Sequence, residues 1–148
     1  MPSSADRDTW CVIGAGPSGL AALRHLAACG LPVECLEREQ GLGGNWLFGS
    51  GTSRVFASTR LISSQRLTEF ADFPLPRHWP AYPDHRQCLA YLRSYAAHFH
   101  LEPLIKTGVG VESIDPAGPP GSGWIVRTSE ATARRYRGVV IASGHNHV

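Results

Sequence analysis

Trp10-Cys11-Val12-Ile13-Gly14-Ala15-Gly16-Pro17-Ser18-Gly19-Leu20 is the stretch whose reading decides the fold. Its first four residues make a short apolar run that stops at Gly14, as a buried strand does. Leu20, Leu23, Leu26 and Ala27 then recur at helical spacing, and Gly30 is a natural stop after that helix. Pro17 suits the first turn, where its missing N–H had no partner anyway. Pro32-Val33-Glu34-Cys35-Leu36 reads as a second strand, closed by Glu37. Strand, glycine-rich turn, helix and strand form a βαβ unit, whose two strands should be parallel.

The glycines of the turn, Gly14, Gly16 and Gly19, have the G-x-G-x-x-G spacing of a dinucleotide site. Glycine is common, so the spacing alone says little. The strand before it, the helix after it and the acid ending the next strand supply the context. Each glycine has its own task. Gly14 permits the tight turn out of the strand. Gly16, with no Cβ, lets backbone and pyrophosphate approach closely. Gly19 lets the helix pack against the strands. The helix N-terminus would then aim N–H groups and a partial positive charge at the phosphates. Glu37 lies 37 − 14 = 23 residues beyond the first glycine. There its carboxylate can accept hydrogen bonds from the adenosine ribose, and its charge would repel a 2′-phosphate. The expected occupant of this site is FAD or NAD, not NADP. Ser18 lacks the flanking spacing of a nucleophile elbow, so its hydroxyl is expected to donate to a phosphate oxygen.

Outward from this unit, residues 40–51 are a glycine-rich loop around Trp46 and Phe48, and residues 54–73 show no clear period. Pro74, Pro76, Pro80 and Pro83 punctuate an irregular stretch. Asp84 reads as a helix N-cap. Cys88, Leu89, Leu92, Tyr95, Ala96 and Phe99 give the helix after it one apolar face. Val109, Val111 and Ile114 suggest a half-buried strand, and residues 124–128 and 133–137 two more. Residues 138–144 return to a buried strand that ends at Gly144. The fold expected is α/β: a Rossmann-like, three-layer domain over residues 1–148, with a parallel sheet and an inserted antiparallel β-meander at about 105–137.

Composition narrows the function classes. A content of 43% apolar and 18% charged residues excludes disorder. No apolar run approaches the ~20 residues of a membrane span. The charge balance, 14 basic against 12 acidic residues, gives +2 and no field that argues for nucleic acid. Lys106 is the single lysine, and the arginines are scattered. Cys11, Cys29, Cys35 and Cys88 form no C-x-x-C pair, so zinc-knuckle and thioredoxin-type motifs are absent, and small buried residues in a reducing compartment are expected. The first ten residues lack the apolar core of a signal peptide, and a cytoplasmic location follows by default.

The second glycine-rich segment extends the comparison. The sequence resembles the flavin-containing monooxygenase family and its Baeyer–Villiger relatives. The matching pieces are G-A-G-P-S-G-L at 14–20, E-R at 37–38, G-L-G-G-N-W at 41–46 and L-I-S-S at 61–64. D-F-P-L-P at 72–76, Y-P at 82–83, Y-L-R-S-Y-A at 91–96 and V-V-I-A-S-G-H at 139–145 complete the set. The resemblance implies that FAD is the cofactor. Gly14, Gly16, Pro17, Ser18 and Gly19 would hold its pyrophosphate, and Glu37, with Arg38 beside it, the adenosine ribose. Gly44 and Trp46 would lie near the phosphates or the flavin, and Gly144 at the cofactor edge. In the family, NADPH reduces the flavin. A C4a-hydroperoxide formed with dioxygen then oxygenates a soft nucleophile (nitrogen or sulfur) or a ketone. The chain is thus expected to be the FAD-binding N-terminal part of such an oxidoreductase, acting on a small-molecule substrate.

Two departures stand out. Many members carry asparagine near Ser63-Ser64, which leaves Ser64 as the candidate residue beside the flavin. No second G-x-G-x-x-G occurs, so the NADPH domain is expected to be missing or separately encoded, and a catalytically incomplete FAD- or ADP-binding protein is the alternative. Redox cysteines after the second strand would mark a disulfide reductase, and none occurs there. His145-Asn146-His147 lacks partner ligands at metal spacing, so no metal site is expected. His78, His85, His98 and His100 are expected to face solvent, Trp79 to pack in the interior, and Arg134, Arg135 and Arg137 to form a solvated face.

Overall fold

In a computed structural model the described residues are 8–51 and 53–145. The deciding stretch folds as read. Strand β1 (Trp10–Ile13) leads through the glycine turn into helix α1 (Pro17–Ala28) and on to strand β2 (Val33–Glu37). β1 and β2 are parallel, with Val12 opposite Cys35 and Ile13 opposite Leu36. The short helix α2 (Gln65–Thr68) and the long helix α3 (His85–His98) follow. Next come β3 (Ile105–Thr107), β4 (Val111–Pro116), β5 (Trp124–Thr128), β6 (Ala133–Tyr136) and β7 (Gly138–Ile141).

The parallel sheet has the order β3-β2-β1-β7, and β4-β5-β6 form an antiparallel meander. Side-chain alternation along the strands sorts the layers. Val12 and Cys35 point to one face, where they join Leu20 and Leu23 of α1 and Leu92, Tyr95 and Ala96 of α3 in the larger core. Cys11 and Leu36 point to the other face and meet Val126 and Tyr136 of the meander. The result is three layers: helices, parallel sheet, meander.

Expectation and structure part at three places. Ile105–Thr107 belongs to the parallel sheet, pairing with β2, so the antiparallel excursion starts at Val111 and not near 105. Three residues are too few to carry a period. The strand β7 is less buried than its apolar sequence suggests, with Ile141 66% exposed, because β7 is the outer strand of the sheet. His85, expected at the surface, is buried at the start of α3, its ring 4.9 Å from that of Phe48. His78, His98 and His100 are exposed, and Trp79 packs against the larger core.

Helix ends follow their sequence signals. Asp84 caps α3 in a reciprocal box: its Oδ1 accepts from the Gln87 N–H at 2.9 Å, and Gln87 Oε1 accepts from the Asp84 N–H at 3.0 Å. Tyr91, also on the inner face of α3, donates its hydroxyl to the Phe73 carbonyl and accepts from the Phe70 N–H. This ties the irregular segment to the helix.

One charged group links the layers. Glu34 on β2 faces the meander, accepts a hydrogen bond from Tyr136 and pairs with Lys106 and with Arg134 at 3.1 Å. Burial alone would raise its carboxyl. The hydrogen bonds from Lys106 and Tyr136 and the charges of Lys106 and Arg134 outweigh burial and hold it below the usual glutamate value. Arg134, half-exposed as a solvated face would have it, is also paired into this cluster. All four cysteines are free; Cys11, Cys35 and Cys88 are buried as expected, but Cys29 is exposed because it caps the C-terminal end of α1. No helix among the described residues is long and apolar enough to cross a membrane.

Candidate functional site

A cleft of about 540 Å³ opens at the carboxyl ends of the parallel strands. β2 lies on one side of β1 and β7 on the other, so chain direction across the sheet reverses at β1. Open α/β sheets bind ligands at such a switch point.

The glycine turn forms the floor. Gly14 has φ +99°, and a Cβ there would stand 2.5 Å from the Ala142 carbonyl oxygen. A side chain is excluded both by the left-handed backbone and by the neighbouring loop. A Cβ on Gly19 would lie 1.8 Å from the Gly14 carbonyl oxygen, so Gly19 lets the first turn of α1 close on the glycine turn itself. Gly16 differs: its Cβ would meet nothing nearer than the Gly44 Cα at 3.6 Å. The folded chain does not need glycine at 16 for its own packing, yet leaves bare backbone there, in the wall of the cleft. Gly16 is also the N-cap of α1, with no side-chain cap, Pro17 at N1 and no acid in the first turn. The N–H groups of Ser18 and Gly19 therefore have no acceptor inside the helix.

Glu37 is 6% exposed and lines the cleft at the end of β2. Its Oε2 accepts from the Ala15 N–H at 2.7 Å, and its Oε1 from the Glu39 N–H at 2.8 Å. The carboxylate thus ties the glycine turn to the end of β2. Each oxygen has further acceptor capacity for a ligand hydroxyl. Cys35 lies below, its thiol donating to the Gly14 carbonyl. Burial and then the Glu37 charge push that thiol up to about 12, so it remains protonated and unreactive.

The second glycine segment closes the opposite wall. Gly43 donates its N–H to the Ala15 carbonyl at 2.9 Å, and a single 3-10 turn spans Gly44–Trp46. Gly44 has φ +56°, and a Cβ on it would come within 2.9 Å of the Gly16 Cα. The two glycine segments therefore touch through backbone.

Of the residues expected at the site, Gly14, Gly16, Pro17, Ser18, Glu37, Arg38, Gly44, Trp46 and Gly144 all line this one cleft. Gly19 sits beneath it. Ser64 does not line it: it precedes α2, where its carbonyl accepts from the Thr68 hydroxyl at 3.0 Å. A motif likeness carried Ser64 to the flavin, but nothing local in the sequence fixes its distance from the glycine turn. His145, read as part of a loop at the cofactor edge or a free end, lines the cleft too; Asn45, Arg54, Val109 and Ser143 also line it and were not singled out as site residues. Asn45 stood next to two singled-out residues, the signal that could have found it. Among the described residues no three metal-ligating side chains cluster. Asn146 and His147 lie outside the described residues.

Three comparisons bear on this geometry. The sequence model of the family described as "Flavin-binding monooxygenase-like" matches residues 8–147. A curated relative, "Indole-3-pyruvate monooxygenase YUCCA1" of Oryza sativa subsp. japonica, is 34% identical over 98% of this chain and 35% of its own. Among solved structures, "Oxidized steroid monooxygenase bound to NADP" superposes with a TM-score of 0.79 at 27% identity, over 92% of this chain and 26% of that one. The flavin-containing monooxygenase from Stenotrophomonas maltophilia does so with 0.79 at 27% identity, over 93% and 39%. The chain thus spans about a third of the length of the relatives it matches.

Proposed function

The chain belongs to the flavin-binding monooxygenase-like family, and on that premise we propose that it is the FAD-binding part of an NADPH-dependent monooxygenase. Residues 1–148 act in this reading as one FAD-binding unit with the meander as an excursion from it. The observation that carries the reading is the bare backbone at Gly16. A Cβ there is tolerated by the fold but would intrude on the cleft between the two glycine segments.

The pyrophosphate of FAD would lie over Gly14 and Gly16, with the N–H groups of Ser18 and Gly19 and the helix N-terminus toward it. Pro17 removes one donor there and fixes the entry into α1. Gly19 acts from below by letting that turn close. Glu37 would accept the adenosine ribose hydroxyls, with Arg38 beside it, and its charge favours FAD over a 2′-phosphorylated nucleotide. Gly44 and Trp46 would border the phosphates and the start of the flavin, and Gly144 the cofactor edge. Bound FAD supplies the chemistry: hydride uptake from NADPH and oxygen transfer from dioxygen to a soft nitrogen or sulfur nucleophile or to a ketone. The chain itself contributes binding, orientation and a protonated, inert Cys35 beneath the site.

Purification tests this directly, because oxidised flavin absorbs visible light. The parent chain is expected to be yellow, or to become so on adding FAD, and Gly16→Val is expected to lose the colour while keeping its circular dichroism. NADPH consumption with dioxygen would extend the reading to turnover by this chain. Yellow protein inert to NADPH would limit it to cofactor binding. Equal flavin content in Gly16→Val and parent would reject the placement.

A further inference from the structure

We propose that Arg54 is the side-chain cation that engages the diphosphate of the bound nucleotide, an inference that rests on reading the cleft as a dinucleotide site. Arg54 lines the cleft and has no carboxylate partner among the described residues. Four other arginines are committed elsewhere, Arg24 to Asp72, Arg77 to Glu69, Arg127 to Asp115 and Arg134 to Glu34, and of the other described arginines only Arg38 also lines the cleft.

Local hydrogen bonding fixes where Arg54 starts. Its backbone N–H donates to Asn45 Oδ1 at 2.7 Å, and the Ser53 hydroxyl donates to the Asn45 carbonyl at 2.9 Å. Asn45 follows Gly44, the residue packed against Gly16. The Arg54 backbone is therefore tied one residue from Gly44 in the cleft wall.

Charge explains the need. The Glu37 carboxylate lies in the same cleft, and a diphosphate adds further negative charge. The helix N-terminus offers only about half a positive charge. Arg38 lines the cleft beside Glu37 at the end of β2, the end proposed for the ribose, which leaves Arg54 as the guanidinium on the wall that carries Gly44 and Asn45. A guanidinium can bind two phosphate oxygens at once, in a geometry a lysine ammonium does not reproduce.

Calorimetric titration of the chain with ADP and with adenosine tests the assignment. Arg54→Met is expected to weaken ADP binding about tenfold and to leave adenosine binding unchanged. FAD retention should fall with ADP affinity, and Arg54→Lys should recover part of the loss. Unchanged ADP affinity in Arg54→Met overturns the proposal. So does an equal weakening of ADP and adenosine, which would mean that the loop, not the charge, had been disturbed. If Arg54→Met fails to fold, Arg54→Gln with the same two ligands decides by the same criteria. A parent chain that binds neither ADP nor FAD rejects the dinucleotide reading of the cleft, and this assignment falls with it.

Discussion

A methyl group at Gly16 would find room, whereas one at Gly19 would collide with the Gly14 carbonyl. The same fingerprint therefore holds two kinds of glycine, one with open space beside it and one consumed by packing. Gly16→Ala is expected to cost about 1 kcal/mol of stability or less, as an N-cap change with room for the methyl group, and to lower FAD affinity by about tenfold or more. Gly19→Ala should cost about 3 kcal/mol or more, because backbone must move to admit it, and should lose flavin only by unfolding. Thermal melts with and without FAD separate the two: Gly16→Ala melts near the parent without cofactor and gains less from it. Equal apo melting of both variants would contradict this division. The spacing rule assigned three tasks to three glycines. What it could not supply is the identity of each neighbour, since the Ala142 carbonyl that forbids a side chain at Gly14 comes from the far end of the chain.

Both long helices end in the same hydrogen-bonded device, with different residues at its left-handed position. After α1, Gly30 at φ +71° donates to Ala27 and Leu31 donates to Leu26; after α3, His100 at φ +54° donates to Ala97 and Leu101 to Ala96. A side chain in that conformation costs roughly 1 kcal/mol, offset in part by the lower chain entropy of a non-glycine residue when unfolded. A Cβ at Gly30 would meet nothing within 4 Å, so Gly30→Ala isolates the backbone penalty. We expect it to destabilise by about 1 kcal/mol, and His100→Gly to stabilise by up to about 1 kcal/mol; denaturant titration checks both. At this scale the chain was most readable where signals are local. The helix of the βαβ unit, its stop at Gly30 and the Asp84 cap each depend on residues a turn apart. β3 was not readable, because Ile105–Thr107 becomes a strand only by pairing with Cys35–Glu37, some seventy residues earlier.

The three layers are held together by apolar contact and by Glu34, whose partners lie 72 to 102 residues away in sequence. No local pattern marks a strand glutamate as such a link, which is why it went unread. Its carboxyl is held below the usual value in the folded state, so it stabilises the fold at any pH above the ordinary glutamate value of about 4.3. That contribution is lost as pH falls through the lower folded value. Glu34→Gln should therefore be less stable than the parent at neutral pH and lose less on acidification. Melting temperatures of the two taken from pH 7 down to 3 should converge. Parallel curves would show that other carboxylates account for the acid sensitivity. The pairing of β1 with β7 has a further consequence. Trp10 lies opposite Gly138, and the wall behind Gly14 is supplied by Ala142. During synthesis the first strand must wait for Gly138–Ile141, more than a hundred residues later, before it gains this partner. The cleft is therefore completed only once Gly138–Ala142 has emerged, and a nascent chain released before Gly138 would lack one of its sides.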